Sequence, residues 1–181
     1  MQDKYEEAEP LYKRALYIWE QTLGLEHPQI VYSLIGLGNL YSQQYKYEEA
    51  ESHFLRALYI GKQSLGMDHP DVAEALIGLA KLLSKQGKYK EAEPLYERTL
   101  IIRQQKLDPQ HPDVAETLHH LAEFHQIQQR TAEALSFYQQ ALTIREKALG
   151  PHHPKTNTTR TAYMNLLQEV GQAEEVTTIE S

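Results

Sequence analysis

Two sequence markers recur along this chain at a constant spacing of 42 residues. The block YEEAEPLYKRALYI, which begins at Tyr5, realigns with blocks that begin at Tyr47, Tyr89 and Thr131. A His-Pro dipeptide keeps the same step, at positions 27, 69, 111 and 153. A fixed period of this size is typical of stacked repeats, in which each unit buries its apolar face against its neighbours. Because the repeat accounts for nearly all of the 181 residues, it leaves no room for a separate catalytic domain.

Each period contains two helical patterns. In the first, called helix A, Leu34, Leu37 and Tyr41 are spaced three or four positions apart and therefore share one helix face. In the second, called helix B, Phe54 and Leu58 share a face in the same way. The pattern predicts helices at 4–23, 29–44, 47–65, 71–86, 89–107, 113–128, 131–149 and 155–170.

The residues between the helices fit this assignment. Gly24, Gly66 and Gly150 follow helix B, where they suit the left-handed position that ends a helix. The proline of each His-Pro pair suits the first turn of the next helix A. Local capping of the loop explains the four histidines of this marker better than metal binding does. In its clearest copy, the short turn between A and B contains Gly87.

The combined pattern resembles the tetratricopeptide repeat, a helix–turn–helix unit that stacks into a right-handed superhelix. The residues that carry the resemblance are Leu34, Leu37, Gly38, Tyr41, Tyr47, Ala50, Phe54, Ala57 and Leu58. The long period, with LGMDHPDVA from Leu65 and YKEAE from Tyr89, is similar to the kinesin light chain and nephrocystin-like subgroup. The resemblance covers about residues 4–171. It implies an all-α fold, a right-handed α-solenoid superhelix of helix–turn–helix repeats.

We expect one array over residues 1–181. Its parts are a half repeat at 4–23, full repeats at 29–65, 71–107 and 113–149, and a degenerate repeat or cap at 155–181. The polar run from Thr156 to Arg160 favours the cap, and a new B helix is predicted from Ala173. Near the start, Tyr12, Leu16 and Trp19 have no obvious covering helix, so we expect the chain to be a fragment of a longer protein.

The resemblance implies a protein-binding scaffold without catalysis of its own. In kinesin light chains, paired asparagines in helix A hold extended peptides. The equivalent positions here are Ile35 and Gly36, Ile77 and Gly78, His119 and His120, and Thr161 and Ala162, so the asparagine pair is absent. The alternative is a structural or sensor segment of a larger signalling protein, such as a multidomain signalling ATPase, that docks or self-associates weakly through its ends.

In the family, the A helices line a concave groove that binds a peptide or protein partner. By spacing, the groove candidates are Tyr32, Ile35, Asn39, Gln43, Glu74, Ile77, Lys81, Lys85, Glu116, His119, Glu123 and Asn165. An apolar strip of Tyr32, Ile35 and Ile77 beside Lys81 and Lys85 would suit an extended segment with one hydrophobic anchor and a nearby acidic residue. In the alternative interpretation, the two isoleucines pack between A helices and the lysines are solvated.

Composition removes several other classes of function. The chain has 18 Lys and Arg against 25 Asp and Glu, a net charge of −7 that disfavours nucleic acid as a partner. With no cysteine, thiol nucleophiles and Cys-ligated metals are excluded. No apolar run is long enough for a membrane span, so we expect a cytoplasmic protein without a membrane partner.

The remaining polar clusters do not form a known catalytic pattern. His119 and Glu123 are four positions apart and share a helix face, which could hold a divalent cation. Two ligands are too few for a stable site, so we expect neither a metal nor a cofactor. No nucleotide-binding or hydrolase motif is present in the sequence.

Overall fold

The computed structural model describes residues 2–179, and the side chains of residues 8–171. The described residues form eight α-helices and no strand. These are α1 (Gln2–Leu23), α2 (Ile30–Gln43), α3 (Tyr47–Ser64), α4 (Pro70–Lys85), α5 (Tyr89–Lys106), α6 (Pro112–Ile127), α7 (Thr131–Leu149) and α8 (Pro154–Ile179). The even-numbered helices are the A helices of the sequence pattern, and the odd-numbered ones are the B helices. The chain divides into two compact units, residues 1–106 (unit 1) and 107–181 (unit 2).

The predicted helix bounds hold within three residues except at the end of α8. A helix ending near residue 170 and a new B helix from Ala173 were expected, but α8 continues without a break to Ile179. Gly171 occupies the repeat position of Gly87, the left-handed turn residue, yet it is not among the glycines with positive φ. Because Gly171 keeps a helical conformation, the chain does not turn back on α8.

The His-Pro histidines cap the loops that lead into the A helices, as predicted. The Nδ1 atom of His69 accepts a hydrogen bond from the backbone N–H of Asp71 at 3.2 Å. His27, His111 and His153 accept the same bond from the N–H two positions further on, at 3.2 to 3.3 Å. Each bond satisfies one of the backbone donors that a helix start leaves without a partner.

The turns between A and B helices use one left-handed residue. Gly87 has φ 74°, and the residues at the same repeat position, Tyr45 and Gln129, have φ 62° and 60°. After the B helices, Gly24, Gly66 and Gly150 also have positive φ, as expected for residues that end a helix. Two of the three A-to-B turns therefore hold a side chain in a conformation that costs roughly 1 kcal/mol outside glycine.

Unit 1 is held together by aromatic rings that insert against glycines. In this unit α2 packs on α3, α4 packs on α5, and α4 also contacts both α2 and α3. Phe54 of α3 is fully buried, and its ring contacts Gly38 of α2 and Gly78 of α4. Tyr12 of α1 contacts Gly36 of α2 in the same way, so the expectation that Tyr12 has no covering helix is only half right.

In unit 2, α7 packs between α6 and α8. Its core contains Ala122, Ala134, Tyr138 and Leu166, with Phe137 and other partly buried apolar residues around them. Small residues at Ala122 and Ala134 let the helix backbones approach closely, as the repeat pattern predicts.

Candidate functional site

The groove candidates of unit 1 differ in accessibility. Tyr32 is 60% exposed, but Ile35 and Ile77 are only 7% and 4% exposed. The two isoleucines belong to the core, because α2 and α4 pack against each other. The predicted apolar strip is therefore reduced to Tyr32, and the burial fits the alternative interpretation. The remaining candidates of this unit are the exposed Asn39, Gln43, Glu74 and Lys85 and the half-buried Lys81. Together with Tyr32, these five residues form a surface that we call the unit 1 A-helix face.

Tyr32 is oriented by the start of the neighbouring A helix. A hydrogen bond to the Asp71 carboxylate, together with partial burial, raises the pKa of the Tyr32 hydroxyl. Asp71 lies in the first turn of α4, so the Tyr32 hydroxyl is near the beginning of the neighbouring A helix. The ring itself stays accessible and offers an apolar surface.

Lys81 and Lys85 are cations in the C-terminal part of α4. The Nζ atom of Lys85 donates to Oγ of Ser42 on α2 at 3.5 Å. Burial, and then the charge of Lys81, lower the pKa of Lys85. Among the side chains that the structure describes, no carboxylate forms an ion pair with either ammonium group. The two like charges therefore repel each other without internal compensation.

The acidic candidates, in contrast, all have basic partners in their own unit. Glu74 forms an ion pair with Arg103, whose guanidinium is buried. Glu116 accepts from Nζ of Lys155 at 2.8 Å. Glu123 lies 2.7 Å from Nδ1 of His120, its nearest partner. These carboxylates are therefore engaged within the fold, and the charges of Glu74 and Glu116 are compensated by Arg103 and Lys155.

The predicted His119–Glu123 pair exists, but only its histidine lies in the interior of unit 2, and Glu123 is exposed. His119 is buried, with Nε2 3.5 Å from Glu123 and Nδ1 3.3 Å from Oγ1 of Thr159. Burial raises the pKa of Glu123, but hydrogen bonds from His119 and His120 outweigh it and hold that pKa well below its ordinary value. Among the residues with described side chains, no group of three or more His, Asp or Glu could hold a metal ion.

Buried arginines are the feature that sequence reasoning missed. Arg103 and Arg145 occupy the repeat position of Gly61 and are almost fully buried. Arg145 donates to Oγ1 of Thr159 and to the carbonyl of Lys155. The polar run that favoured a cap therefore lies partly in the interior. The sequence signal that could have revealed these arginines is the change from glycine to arginine at one position of an otherwise strict repeat.

Three further observations concern the last groove candidate, the surroundings of His119 and the apolar character of the helices. Asn165, the last groove candidate, is exposed on α8. Next to His119, burial and the charge of Glu123 raise the pKa of Tyr138 to about 12. No helix in the described part of the chain has the length and apolar character needed to cross a bilayer.

Comparison with known proteins agrees with the repeat geometry. Sequence models of the tetratricopeptide repeat match residues 1–58, 44–105, 82–122 and 114–155. The chain belongs to the tetratricopeptide repeat family. It is an all-α repeat solenoid, as the sequence predicts. Repeats of this family generally mediate protein–protein interaction on a scaffold that is not itself catalytic.

Solved structures place the chain near kinesin light chain-like repeats. Two crystal structures of the nearly identical TPR-like repeats of a candidate kinesin light chain from Podosopora anserina have TM-scores of 0.74 and identities of 25% and 26%. Each match covers 96% of this chain and 82% of the other. BtubC (BKLC) from P. vanneervenii shares the fold, with a TM-score of 0.80 and 22% identity over 94% of this chain and 68% of the other. No curated protein matches the chain. The predicted resemblance to the kinesin light chain-like subgroup is confirmed.

Proposed function

We propose that this protein is a non-catalytic scaffold that binds an extended acidic segment of a partner on the unit 1 A-helix face. The observation that carries the proposal is the pair Lys81 and Lys85, whose charges have no described carboxylate partner. The acidic candidates Glu74 and Glu116 are already in ion pairs, and Glu123 is in hydrogen-bond contact with His120. The charge left for a ligand on this face is therefore positive.

Partial burial makes these lysines stronger recognition groups than ordinary surface lysines. An ion pair between fully solvated groups contributes little, because water screens both charges. Lys81 is half-buried, and burial already lowers the pKa of Lys85. An incoming carboxylate would relieve the repulsion between the two ammonium groups, and its charge would compensate for the hydration that burial has removed.

The geometry of α2 also suggests the spacing of ligand residues. Ser42, which contacts Lys85, and Tyr32 are ten positions apart on α2, about 15 Å along the helix axis. An extended chain covers this distance in about five residues. The expected ligand carries Asp or Glu at one end and an apolar side chain, which packs on Tyr32, about five residues away.

The test is peptide binding to the full chain. Labelled ten-residue peptides carry an acidic residue and a leucine at varied spacings, and a matched set carries Asn or Gln instead of Asp or Glu. We expect the acidic set to bind, with a preference for a spacing of about five and with affinity that falls as salt is added. The variant Lys81→Glu/Lys85→Glu should weaken binding at least about tenfold.

A control variant separates local recognition from net charge. Lys62→Glu/Lys90→Glu makes the same change in charge on exposed positions of the B helices α3 and α5, and it should bind like the wild type. Equal binding of the acidic and amide peptides would contradict the proposal. So would equal weakening by the two double variants, because bulk charge would then explain the effect.

A further inference from the structure

The ammonium group of Lys85 lies next to a like charge and has no carboxylate partner among the described side chains. Lys81 stands one helical turn earlier on α4, so the two lysines share one face of the helix. The described hydrogen bond of Lys85, from Nζ to Oγ of Ser42, is 3.5 Å long, which is the outer limit for such a bond. Because a hydroxyl carries no charge, Ser42 does not balance the ammonium group.

Several other lysines are held in the charged form by carboxylates. The nitrogen–oxygen distances are 2.7 to 3.6 Å, for Lys13 with Glu9, Lys88 with Glu51, and Lys155 with Glu116. The hydrogen bond to Glu9 raises the pKa of Lys13. A carboxylate stabilises the ammonium form of a lysine, and an ammonium nitrogen has no lone pair with which to attack a reagent.

The surroundings of Lys85 act in the opposite direction. Burial, and then the charge of Lys81, lower the pKa of Lys85, since both favour the neutral amine. The residue nevertheless stays exposed, so a reagent in solution can reach Nζ. A lysine that is partly desolvated beside another cation is an activated nucleophile. Lys85 therefore combines access with a larger share of neutral amine than an ordinary surface lysine has.

We propose that Lys85, activated by its neighbour Lys81, is a covalent modification site whose acyl donor is a small acyl thioester. The neutral amine nitrogen attacks the carbonyl carbon of the thioester, and the new N–C bond forms as the C–S bond breaks. The sulfur leaves with the bonding electron pair as a thiolate, which takes up the proton that the nitrogen loses. The product is an uncharged amide at Nζ. Since the chain contains no cysteine, no thiol of the protein competes for the acyl group.

Acylation of Lys85 would regulate the unit 1 A-helix face. The amide nitrogen carries no charge and no longer forms ion pairs, so Lys81 is the remaining cation for an acidic ligand. This consequence rests on the proposed function, because it assumes such a ligand, whereas the acylation itself does not. Protein acetylated at Lys85 should bind the acidic peptides about threefold more weakly than unmodified protein.

The test compares the acetylation rates of individual lysines in the full chain. The protein is incubated with S-acetyl-N-acetylcysteamine, a neutral thioester that lysine charges do not attract, and peptide mass spectrometry follows each position over time. We expect Lys85 to be acetylated at least about threefold faster than Lys62 and Lys147. Equal rates at the three positions would overturn the proposal.

Lys62 and Lys147 are matched controls within the same molecule. Like Lys85, both are exposed and lie in the last turn of a helix, so the helix dipole acts on all three amines in the same sense. Unlike Lys85, neither has a Lys or Arg three or four positions away. A faster rate at Lys85 therefore reports its local surroundings rather than its helix position.

The variant Lys81→Gln tests the role of the neighbouring charge. Without that charge the Lys85 amine keeps its proton more readily, so acetylation of Lys85 should slow at least about twofold, with unchanged rates at Lys62 and Lys147. Lys62→Gln removes one charge elsewhere and should leave the Lys85 rate unchanged. A Lys85 rate that is the same in Lys81→Gln as in wild type would contradict the activation. The wild-type comparison decides even where a variant fails to fold.

Peptide binding separates this proposal from the proposed function. An acidic peptide bound as proposed should slow acetylation at Lys85 but not at Lys62, and the matched amide peptide should slow neither. Preferred acetylation of Lys85 without any peptide binding would support the modification site and contradict the proposed function. Peptide binding without preferred acetylation of Lys85 would contradict the modification site and leave the proposed function standing.

Discussion

Gly78 on α4 lies so close to Phe54 on α3 that a Cβ atom at this glycine would be 2.3 Å from the aromatic ring. The ring is fully buried between two A helices and has no free space into which it can move. The close approach of α3 and α4 therefore depends on the absence of a side chain at this position. Gly38 has the same role on α2, because the same ring contacts both glycines.

We expect Gly78→Ala to lower the free energy of unfolding by about 1 to 2 kcal/mol, because overpacking outweighs the gain in helix propensity. Gly171→Ala is the matched control. Gly171 is also helical, but nothing lies within 4 Å of a Cβ atom built there, so alanine should stabilise by about 0.5 to 1 kcal/mol. Urea denaturation followed by circular dichroism measures both changes. A stabilised Gly78→Ala variant would contradict the packing argument.

Gln129 is a second position where one substitution should have a definite sign. It adopts φ 60° in the turn between α6 and α7, a conformation that glycine adopts at little cost. We expect Gln129→Gly to raise the stability of the protein by about 0.5 to 1 kcal/mol. The comparison is Gln139→Gly in the interior of α7, which should lower stability by about 1 kcal/mol. Destabilisation by both substitutions would show that the left-handed turn stores no strain.

Glu123 should make the protein more sensitive to acid. Hydrogen bonds from His119 and His120, which overcome the opposing effect of burial, hold its pKa below the ordinary value of 4.5. A group whose pKa falls on folding stabilises the folded state above its unfolded pKa, and this contribution is lost as the pH drops through the folded value. Wild type should therefore exceed Glu123→Gln in stability near neutral pH.

The difference between wild type and Glu123→Gln should shrink steadily below about pH 4.5. Thermal unfolding of both proteins between pH 3 and 7 measures it. Glu133→Gln, at an exposed carboxylate on α7, should show little such change. A wild type whose advantage over Glu123→Gln grows on acidification would contradict the predicted direction of the pKa shift.

The strict period explains why the helices could be predicted so closely. Gly24, Gly66 and Gly150 end the B helices where the sequence places them, because glycine is favoured where φ is positive. The end of α8 was wrong because Gly171 resembles Gly87 in position but not in conformation. The local sequence does not determine whether such a glycine adopts the left-handed conformation, because that also depends on whether the segment after it packs against the preceding helix.

The candidate site was harder to predict than the fold. Spacing identifies which residues share the outer side of an A helix, but Ile35 and Ile77 become buried only when α2 and α4 pack together. Ion pairing between the A and B helices of one repeat is equally hidden, as in the pair Arg103 and Glu74. Lys81 and Lys85 could be named from sequence, but their lack of a carboxylate partner among the described side chains depends on every neighbouring residue.

The four capping histidines have a consequence for the protons that their rings carry. A ring nitrogen that accepts a hydrogen bond cannot itself hold a proton, so His27, His69, His111 and His153 in the capping state carry hydrogen on Nε2 alone. Four imidazoles in one chain therefore share one neutral tautomer, the Nε2–H form, and in each of them a backbone hydrogen bond selects it. Nitrogen-15 spectra of the imidazole rings would report the formation of every junction between repeats through a single shared signature.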